Sequence, residues 1–312
     1  MKKFIIGVDV GGTNIKIGMV SARGRIISRT NLSTEAYVRD KKKLISAIVT
    51  GIQNLLSERR YSLDNISGVG FGFPGLVDPI RGIVKFLPNI PGWKNVPFVK
   101  IFQQKMSLRA VVENDVNLIT LGEWKFGAGA GVRNMLCMTL GTGVGAGLIL
   151  NNALYRGAGY AAGEMGHVPL NEDGPSCNCG GWGCLERYVG NRALYARALK
   201  LFKRKITLEE ISSLAARGNR KALKFWDETA LHVGNGLTGV VNLLNPARIV
   251  IGGGVFNASA FMVKRIEKTL KARAMSVQGA MAKIVKAQLG ADAGIVGARV
   301  LLAETIKDSD SL

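Results

Sequence analysis

Residues 4–20 read FIIGVDVGGTNIKIGMV, and residues 135–150 read MLCMTLGTGVGAGLIL. In the first, apolar runs at Phe4–Val10 and Ile15–Val20 flank Gly11-Gly12-Thr13, and a third run, Arg25–Thr30, follows Ala22-Arg23-Gly24. Turns this short join only antiparallel neighbours, so three strands in a meander are expected. In the second, Asn134–Leu140 and Ala146–Leu150 flank Gly141-Thr142-Gly143-Val144-Gly145. A strand, a Gly/Thr turn and a strand therefore occur once in each half of the chain, and an internal duplication facing a shared cleft is expected.

Between these stretches, Leu44, Ile48, Ile52 and Leu55 recur at helical spacing and predict an amphipathic helix over Asp40–Arg60. In GVGFGFPG, Gly70, Gly72 and Gly75 match G-x-G-x-x-G, but Pro74 and Pro79 forbid the helix that a dinucleotide site needs, leaving a strand that ends in a loop. A loop at Leu87–Trp93, a short helix at Val96–Lys105, a strand at Leu108–Val112 and a helix at Asn117–Phe126 complete the first half. Beyond Glu186 the chain is read as mostly helical to Leu244, then a strand at Arg248–Ile251, a turn at Gly252–Gly254, a helix at Ala258–Ala274, a strand at Lys283–Ala287 and a last helix at Asp292–Thr305, before a tail, KDSDSL, expected to fray.

The chain has 312 residues, 47% of them hydrophobic, enough for a substantial core and a length that suits two domains. The apolar run after Met1-Lys2-Lys3 is too short for a signal peptide, and Met135–Leu150 falls short of a bilayer span, so a soluble cytoplasmic protein without membrane association is expected. A net charge of +20 raises nucleic acid as a partner. The densest basic runs, Lys41–Lys43, Arg59-Arg60 and Lys203–Lys205, fall at helix ends without interleaved aromatics, the pattern of solvated helix faces; no specific nucleic-acid binding is expected.

Three of the four cysteines and one of the two histidines lie in GEMGHVPLNEDGPSCNCGGWGCLE, Gly163–Glu186. His167, Cys177, Cys179 and Cys184 form a full tetrahedral ligand set for zinc, and a closed set braces a loop instead of performing chemistry. Glu164 stands three residues before the histidine and Glu186 two after the last cysteine. Folding the loop onto a metal offers these carboxylates as a floor for a polyhydroxylated ligand, with the second ring nitrogen of His167 joining metal to ligand; the competing reading is a zinc knuckle with both glutamates solvated.

Asp9-Val10-Gly11-Gly12-Thr13-Asn14 is not a P-loop, yet its glycines admit phosphate oxygens to backbone N–H groups, Thr13 and Asn14 add donors, and Asp9 at a strand end can hold Mg2+ through water. Gly141-Thr142-Gly143 offers a second phosphate cradle, and either turn also reads as an ordinary hairpin. Gly252-Gly253-Gly254 permits either close approach of a nucleotide or tight helix–strand packing. Asn114-Asp115 stands where open α/β sheets place ligands, and Asp115 reads equally as a helix N-cap. His232 and Cys137 read as structural.

DVGGTNIK (Asp9–Lys16), GFPGLVD (Gly72–Asp78), LPNIPGW (Leu87–Trp93), ENDVNLITLGE (Glu113–Glu123), LGTGVGAGLIL (Leu140–Leu150), GEMGH (Gly163–His167) and CNCGGWGCLE (Cys177–Glu186) together resemble the ROK (repressor, ORF, kinase) family, particularly its bacterial glucokinases. The resemblance runs in order from about residue 3 to residue 303. It implies an α/β, two-domain actin-like ATPase fold, ribonuclease-H-like in each domain, with ATP and sugar meeting in an inter-domain cleft; expected boundaries are 1–116 plus 298–312 for a small domain and 117–297 for a large one carrying the zinc loop. It implies Asp115 as general base and Asn89, Asn114, Asp115, Glu164, His167 and Glu186 as sugar ligands. Asp9, Gly11, Gly12, Thr13, Asn14, Lys16, Gly141, Thr142, Gly143, Gly252, Gly253 and Gly254 are expected to face ATP and Mg2+, and the resemblance implies His167, Cys177, Cys179 and Cys184 as the ligands of structural zinc. Family repressors carry an added amino-terminal DNA-binding domain absent from this reading of the chain, which leaves the kinase branch. The activity expected is ATP-dependent phosphorylation of glucose at the 6-hydroxyl, by a homo-oligomer, dimer or tetramer. The alternatives are a kinase for N-acetylmannosamine or another N-acetylhexosamine, or a non-catalytic sugar-binding regulator.

Overall fold

The computed structural model describes residues 4–37, 40–88, 90–259 and 261–310. The chain divides into two compact units: Met1–Gly131, Leu154–Ala162 and Ala291–Leu312 form the first, Val132–Ala153 and Gly163–Gly290 the second. The boundaries expected from the sequence, at 116/117 and 297/298, differ from these; each would cut a continuous helix.

In the first unit the order is β1 (Phe4–Val10), β2 (Asn14–Ser21), β3 (Ile26–Ser33), α1 (Lys41–Glu58), β4 (Ile66–Phe73), β5 (Leu76–Asp78), β6 (Ile83–Phe86), β7 (Lys94–Val96), α2 (Phe98–Met106), β8 (Ala110–Asn114) and α3 (Asp115–Phe126). The chain's last helix, α11 in chain order (Ala293–Asp310), completes it. The main sheet runs β3-β2-β1-β4-β8. The expected meander is antiparallel, with Val10 opposite Ile15 across the turn, whereas β1, β4 and β8 are parallel. Parallel strands are buried on both faces, which is why β4 is apolar or glycine along nearly its whole length. Leu44, Ile48, Ile52 and Leu55 of α1 are fully buried, and Asp40 caps that helix by accepting from the N–H groups of Lys42 and Lys43.

The alternation in GVGFGF separates two faces of β4. Phe71 packs edge-on against Phe98 and Phe102 at 4.7 and 4.8 Å, and Phe73 lies 5.4 Å from Trp93. The opposite face carries glycine because α11 lies on it: a Cβ at Gly70 would stand 2.7 Å from the carbonyl oxygen of Ala298. The helix is equally tight against α3, where a Cβ at Gly297 would lie 1.7 Å from the carbonyl oxygen of Leu118. Backbone cannot yield as a side-chain tip can, so Gly297→Ala is expected to cost about 3 kcal/mol, the upper end of ordinary overpacking. Chemical denaturation checks this; an unchanged midpoint would mean that the two helices separate freely.

In the second unit β9 (Met135–Leu140) and β10 (Val144–Leu150) are followed by β11 (Ala153–Tyr155), on which the chain passes back to the first unit. Then come α4 (Glu186–Val189), α5 (Asn191–Phe202), α6 (Leu208–Ala216), α7 (Arg220–Leu244), β12 (Arg248–Gly252), α8 (Gly254–Asn257), α9 (Met262–Arg273), α10 (Ser276–Met281) and β13 (Lys283–Lys286). The sheet order is β11-β10-β9-β12-β13, with β9 and β10 antiparallel and β9, β12 and β13 parallel. This is the pattern of the first sheet over again, so the duplication expected from the two Gly/Thr turns is present as two ribonuclease-H-like sheets.

Several elements differ from expectation. A three-stranded antiparallel sheet, β5-β6-β7, occupies residues expected to be loop. Strands of three or four residues carry no readable period, and Asp78, nearly buried, fixes their turn by accepting the N–H of Arg81. The helix α3 begins at Asp115, not Asn117; α8 starts on the last glycine of the expected turn Gly252–Gly254, and α10 occupies residues between Ala274 and Lys283 to which no element was assigned. The last helix extends to Asp310, beyond Thr305; Ser311 and Leu312, the end of the tail expected to fray, lie outside the described residues. Cys137 is buried in β9, and His232 stacks on Tyr188 at 4.6 Å with burial lowering its pKa. The basic runs at 41–43, 59–60 and 203–205 are exposed at helix ends. Among the described residues, no helix is long and apolar enough to cross a membrane.

Candidate active site and metal cluster

The β1–β2 turn of the first unit is closed by main chain, the Gly11 N–H donating to the Asn14 carbonyl at 2.8 Å. Thr34, fully buried and 21 residues past Thr13, clamps it: its hydroxyl donates to the Gly11 carbonyl and its N–H to that of Thr13, both at 2.8 Å. Gly12, Thr13 and Asn14 are exposed, and no atom stands where a side chain on Gly12 would be, so its backbone is open to a ligand. Asp9 sits at the strand end beside the first turn of α11, near Gly294. Burial raises its carboxyl above the ordinary range, partly offset by Lys16, whose Nζ lies 3.3 Å away and also donates to the Ala291 carbonyl at 3.1 Å.

At the end of β8 the roles of two neighbours separate. Asn114, not Asp115, is the N-cap of α3: its Oδ1 accepts from the N–H groups of Val116 (2.9 Å) and Asn117 (3.1 Å), and its Nδ2 donates to the Gly75 carbonyl at 3.1 Å. The cap alternative for Asp115 is therefore corrected. Asp115 is the first helical residue, with Oδ1 accepting its neighbour Val116 N–H at 2.9 Å, in the part of the helix whose dipole favours a carboxylate. Glu113, which sequence reasoning passed over, is wholly buried beneath them. Its Oε1 accepts from Asn114 N–H and Asn117 Nδ2, and its Oε2 from Arg156 Nε at 2.6 Å. A charged residue closing an apolar strand, VVEND, was the available signal. Asn89 lies outside the described residues.

In the second unit, Gly141–Gly143 turns between β9 and β10 with Thr142 exposed. Glu186, the first residue of α4, crosses to this turn and accepts the Val144 N–H on Oε2 at 2.9 Å. A Cβ on Gly143 would stand 2.5 Å from that oxygen, so Gly143 is glycine for the sake of Glu186 as much as for any phosphate. Of the later glycines, Gly253 is a packing residue, its Cβ position only 2.2 Å from the Leu140 carbonyl oxygen, whereas Gly254 faces open space.

His167, Cys177, Cys179 and Cys184 converge, their donor atoms all within 4.8 Å of one another. His167 Nδ1 lies 3.6 Å from Cys177 Sγ, and Cys179 and Cys184 Sγ are 3.7 Å apart. A tetrahedron with metal–sulfur bonds of about 2.3 Å has sulfur–sulfur edges of about 3.8 Å, so the set fits a tetrahedral soft metal. Nδ1 is the ring nitrogen turned towards the thiols and would be the one to coordinate, and Nε2 lies 4.0 Å from Glu164 Oε2. Glu164 is well exposed, while Glu186 is held by backbone; the two carboxylates have different settings. The thiols differ too: the Gly181 N–H draws Cys179 down to about 7, and burial pushes Cys184 up to about 12. The loop depends on Gly183, at φ 64°, where a Cβ would lie 1.8 Å from the Asn171 carbonyl oxygen.

The ROK family profile matches residues 5–305. A glucokinase of Halalkalibacterium halodurans is 35% identical, over 95% of this chain and 93% of its own; one of Streptomyces coelicolor is 36% identical, over 96% and 97%. The crystal structure of a ROK family glucokinase from Streptomyces griseus, in complex with glucose and AMPPNP, superposes with a TM-score of 0.79 at 34% identity, covering 96% of this chain and 98% of that one. Matched almost end to end by the profile, by curated relatives and by a solved structure, the chain belongs to the ROK family.

Proposed function

We propose that this protein is a glucokinase, transferring the γ-phosphoryl group of ATP to the 6-hydroxyl of glucose. The observation that carries the reading is Asp115, presented at the start of α3 on a cap that Asn114 supplies, in a chain more than a third identical to glucokinases. Asp115 is the proton acceptor. Asn114 keeps its second Nδ2 hydrogen for a sugar hydroxyl, the first being given to Gly75. Glu164, His167 and Glu186 read the remaining hydroxyls, together with Asn89. The open backbone at Gly12, Thr13 and Asn14, and at Gly141, Thr142 and Gly254, receives phosphates. Mg2+, held through Asp9, supplies charge neutralisation for the transferring phosphoryl group. The cysteine–histidine set holds one zinc ion that braces the sugar-reading loop. We further propose a cytoplasmic homo-oligomer, a dimer or tetramer; light scattering tests the assembly.

A coupled ADP-release assay over a panel of hexoses tests the activity. A site built to hydrogen-bond a sugar's hydroxyls rejects analogues that lack them, so glucose should give the highest kcat/KM. A higher value for N-acetylmannosamine would transfer the assignment to a hexosamine kinase, and sugar binding without ADP release would make the protein a regulator.

A further inference from the structure

We infer that Glu113 and Arg156 form a positioning pair for the catalytic aspartate, an inference that rests on the kinase reading above. Glu113 has no exposed surface, and its two oxygens make three contacts, two at the start of α3 and one to Arg156. Oε1 holds the Asn114 N–H at 2.9 Å and Asn117 Nδ2 at 3.0 Å, one on each side of Asp115 in sequence. Asp115 is thus gripped from both flanks by one carboxylate. Oε2 holds Arg156, which belongs to Leu154–Ala162, the short passage of the chain through this unit between two segments of the other. That passage is a closed loop: the Arg156 carbonyl accepts the Ala162 N–H at 3.0 Å, and Tyr160, at φ 61°, donates its N–H to the Gly157 carbonyl at 3.3 Å. Two residues beyond Ala162 stands Glu164. One ion pair, buried on its carboxylate side and partly exposed at Arg156, therefore fixes both the start of α3 and the Arg156 end of the loop that precedes Glu164 in sequence.

Charge, not volume, is what the pair needs. A carboxylate accepts from all three donors at once, whereas an amide in its place presents an N–H to one of them. A guanidinium Nε–H is directional in a way that an ammonium is not. Neither residue touches the reacting atoms; both act through Asp115 and its cap. A displacement of about 1 Å at a reacting group is enough to cost about 10²-fold in rate.

The experiment is kinetics of Glu113→Gln, Arg156→Lys, Arg156→Met and the double variant Glu113→Gln/Arg156→Met on the full chain, with wild type alongside and each assayed well below its own melting temperature. Each single variant should lose about 10- to 100-fold in kcat, with ATP affinity by calorimetry within about twofold of wild type, Arg156→Lys losing least. The double variant should regain melting temperature, because no lone buried charge remains, yet should not regain kcat. A merely structural pair would lower the melting temperature of the singles and leave kcat of the folded protein untouched, and that result would overturn the proposal, as would full kcat in the double variant. If Glu113→Gln does not fold, the two Arg156 variants, on a partly exposed side chain, decide alone. Absence of turnover in wild type would instead count against the kinase reading itself.

Discussion

Asp115→Asn is expected to lower kcat by about 10²–10⁴-fold, the usual loss for a general base, while affinities for glucose and ATP change far less. Phosphoryl transfer depends mainly on positioning and charge stabilisation, and the hydroxyl proton is accepted as the new bond forms. An aspartate's ordinary pKa, about 3.9, lies far below that of a sugar hydroxyl, so the proton moves late, once attack has made the hydroxyl acidic. The first turn of α3 places the carboxylate at the end of the helix whose dipole favours negative charge. Because the N-cap is Asn114, the substitution leaves the cap intact, and the helix should not shorten. Stability by thermal denaturation should therefore stay close to wild type, separating a catalytic loss from a folding one. Near-normal kcat in Asp115→Asn would remove the base assignment.

Loss of the metal is expected to weaken glucose binding by at least tenfold, and ATP binding by much less. The segment from Val168 to Leu185 contains no helix or extended strand, only two isolated bridges, Pro169 with Cys184 and Ser176 with Trp182, and a few backbone bonds. A tetrahedral ion would replace the core such a loop lacks, and it would fix the ring of His167, whose Nε2 lies 4.0 Å from Glu164 Oε2. Cys179→Ser should lower zinc content from one per chain, measured by elemental analysis, and calorimetry should show the uneven effect on the two substrates. The sign of the pH dependence follows from the thiols. Zinc requires thiolates, and Cys184, pushed up to about 12 without metal, is protonated at neutral pH, so binding releases protons and affinity falls as pH falls. Cys179, drawn down to about 7, makes the decline steeper below neutrality. Full sugar affinity in a metal-free Cys179→Ser protein would show that the loop needs no brace.

How much of this was legible in the sequence depends on how far apart the partners stand along the chain. The two Gly/Thr hairpins were readable because a turn of three residues leaves only an antiparallel solution. The convergence of His167, Cys177, Cys179 and Cys184 was readable because an imidazole and three thiols within eighteen residues have little else to do together. The helix at 41–58 was readable from apolar residues at helical spacing. Each is a local pattern, decided by steric limits and ligand chemistry over a few residues.

What tertiary structure alone decided concerns buried polar groups and close approach. Glu113 looks like one more acidic residue until Arg156, 43 residues later, arrives at its second oxygen. Lys16 looks like a phosphate ligand, and meets a carbonyl 275 residues away as well as Asp9. Gly70 and Gly297 look like turn formers or helix weakeners, and are there because a helix backbone lies against them. Asn114 takes the cap that Asp115 could equally have taken, because the Gly75 carbonyl and the Glu113 carboxylate hold it from behind. Burial makes each unpaired group costly, so the choice of partner is settled by which donors and acceptors the packed chain brings within reach, and no local pattern carries that information.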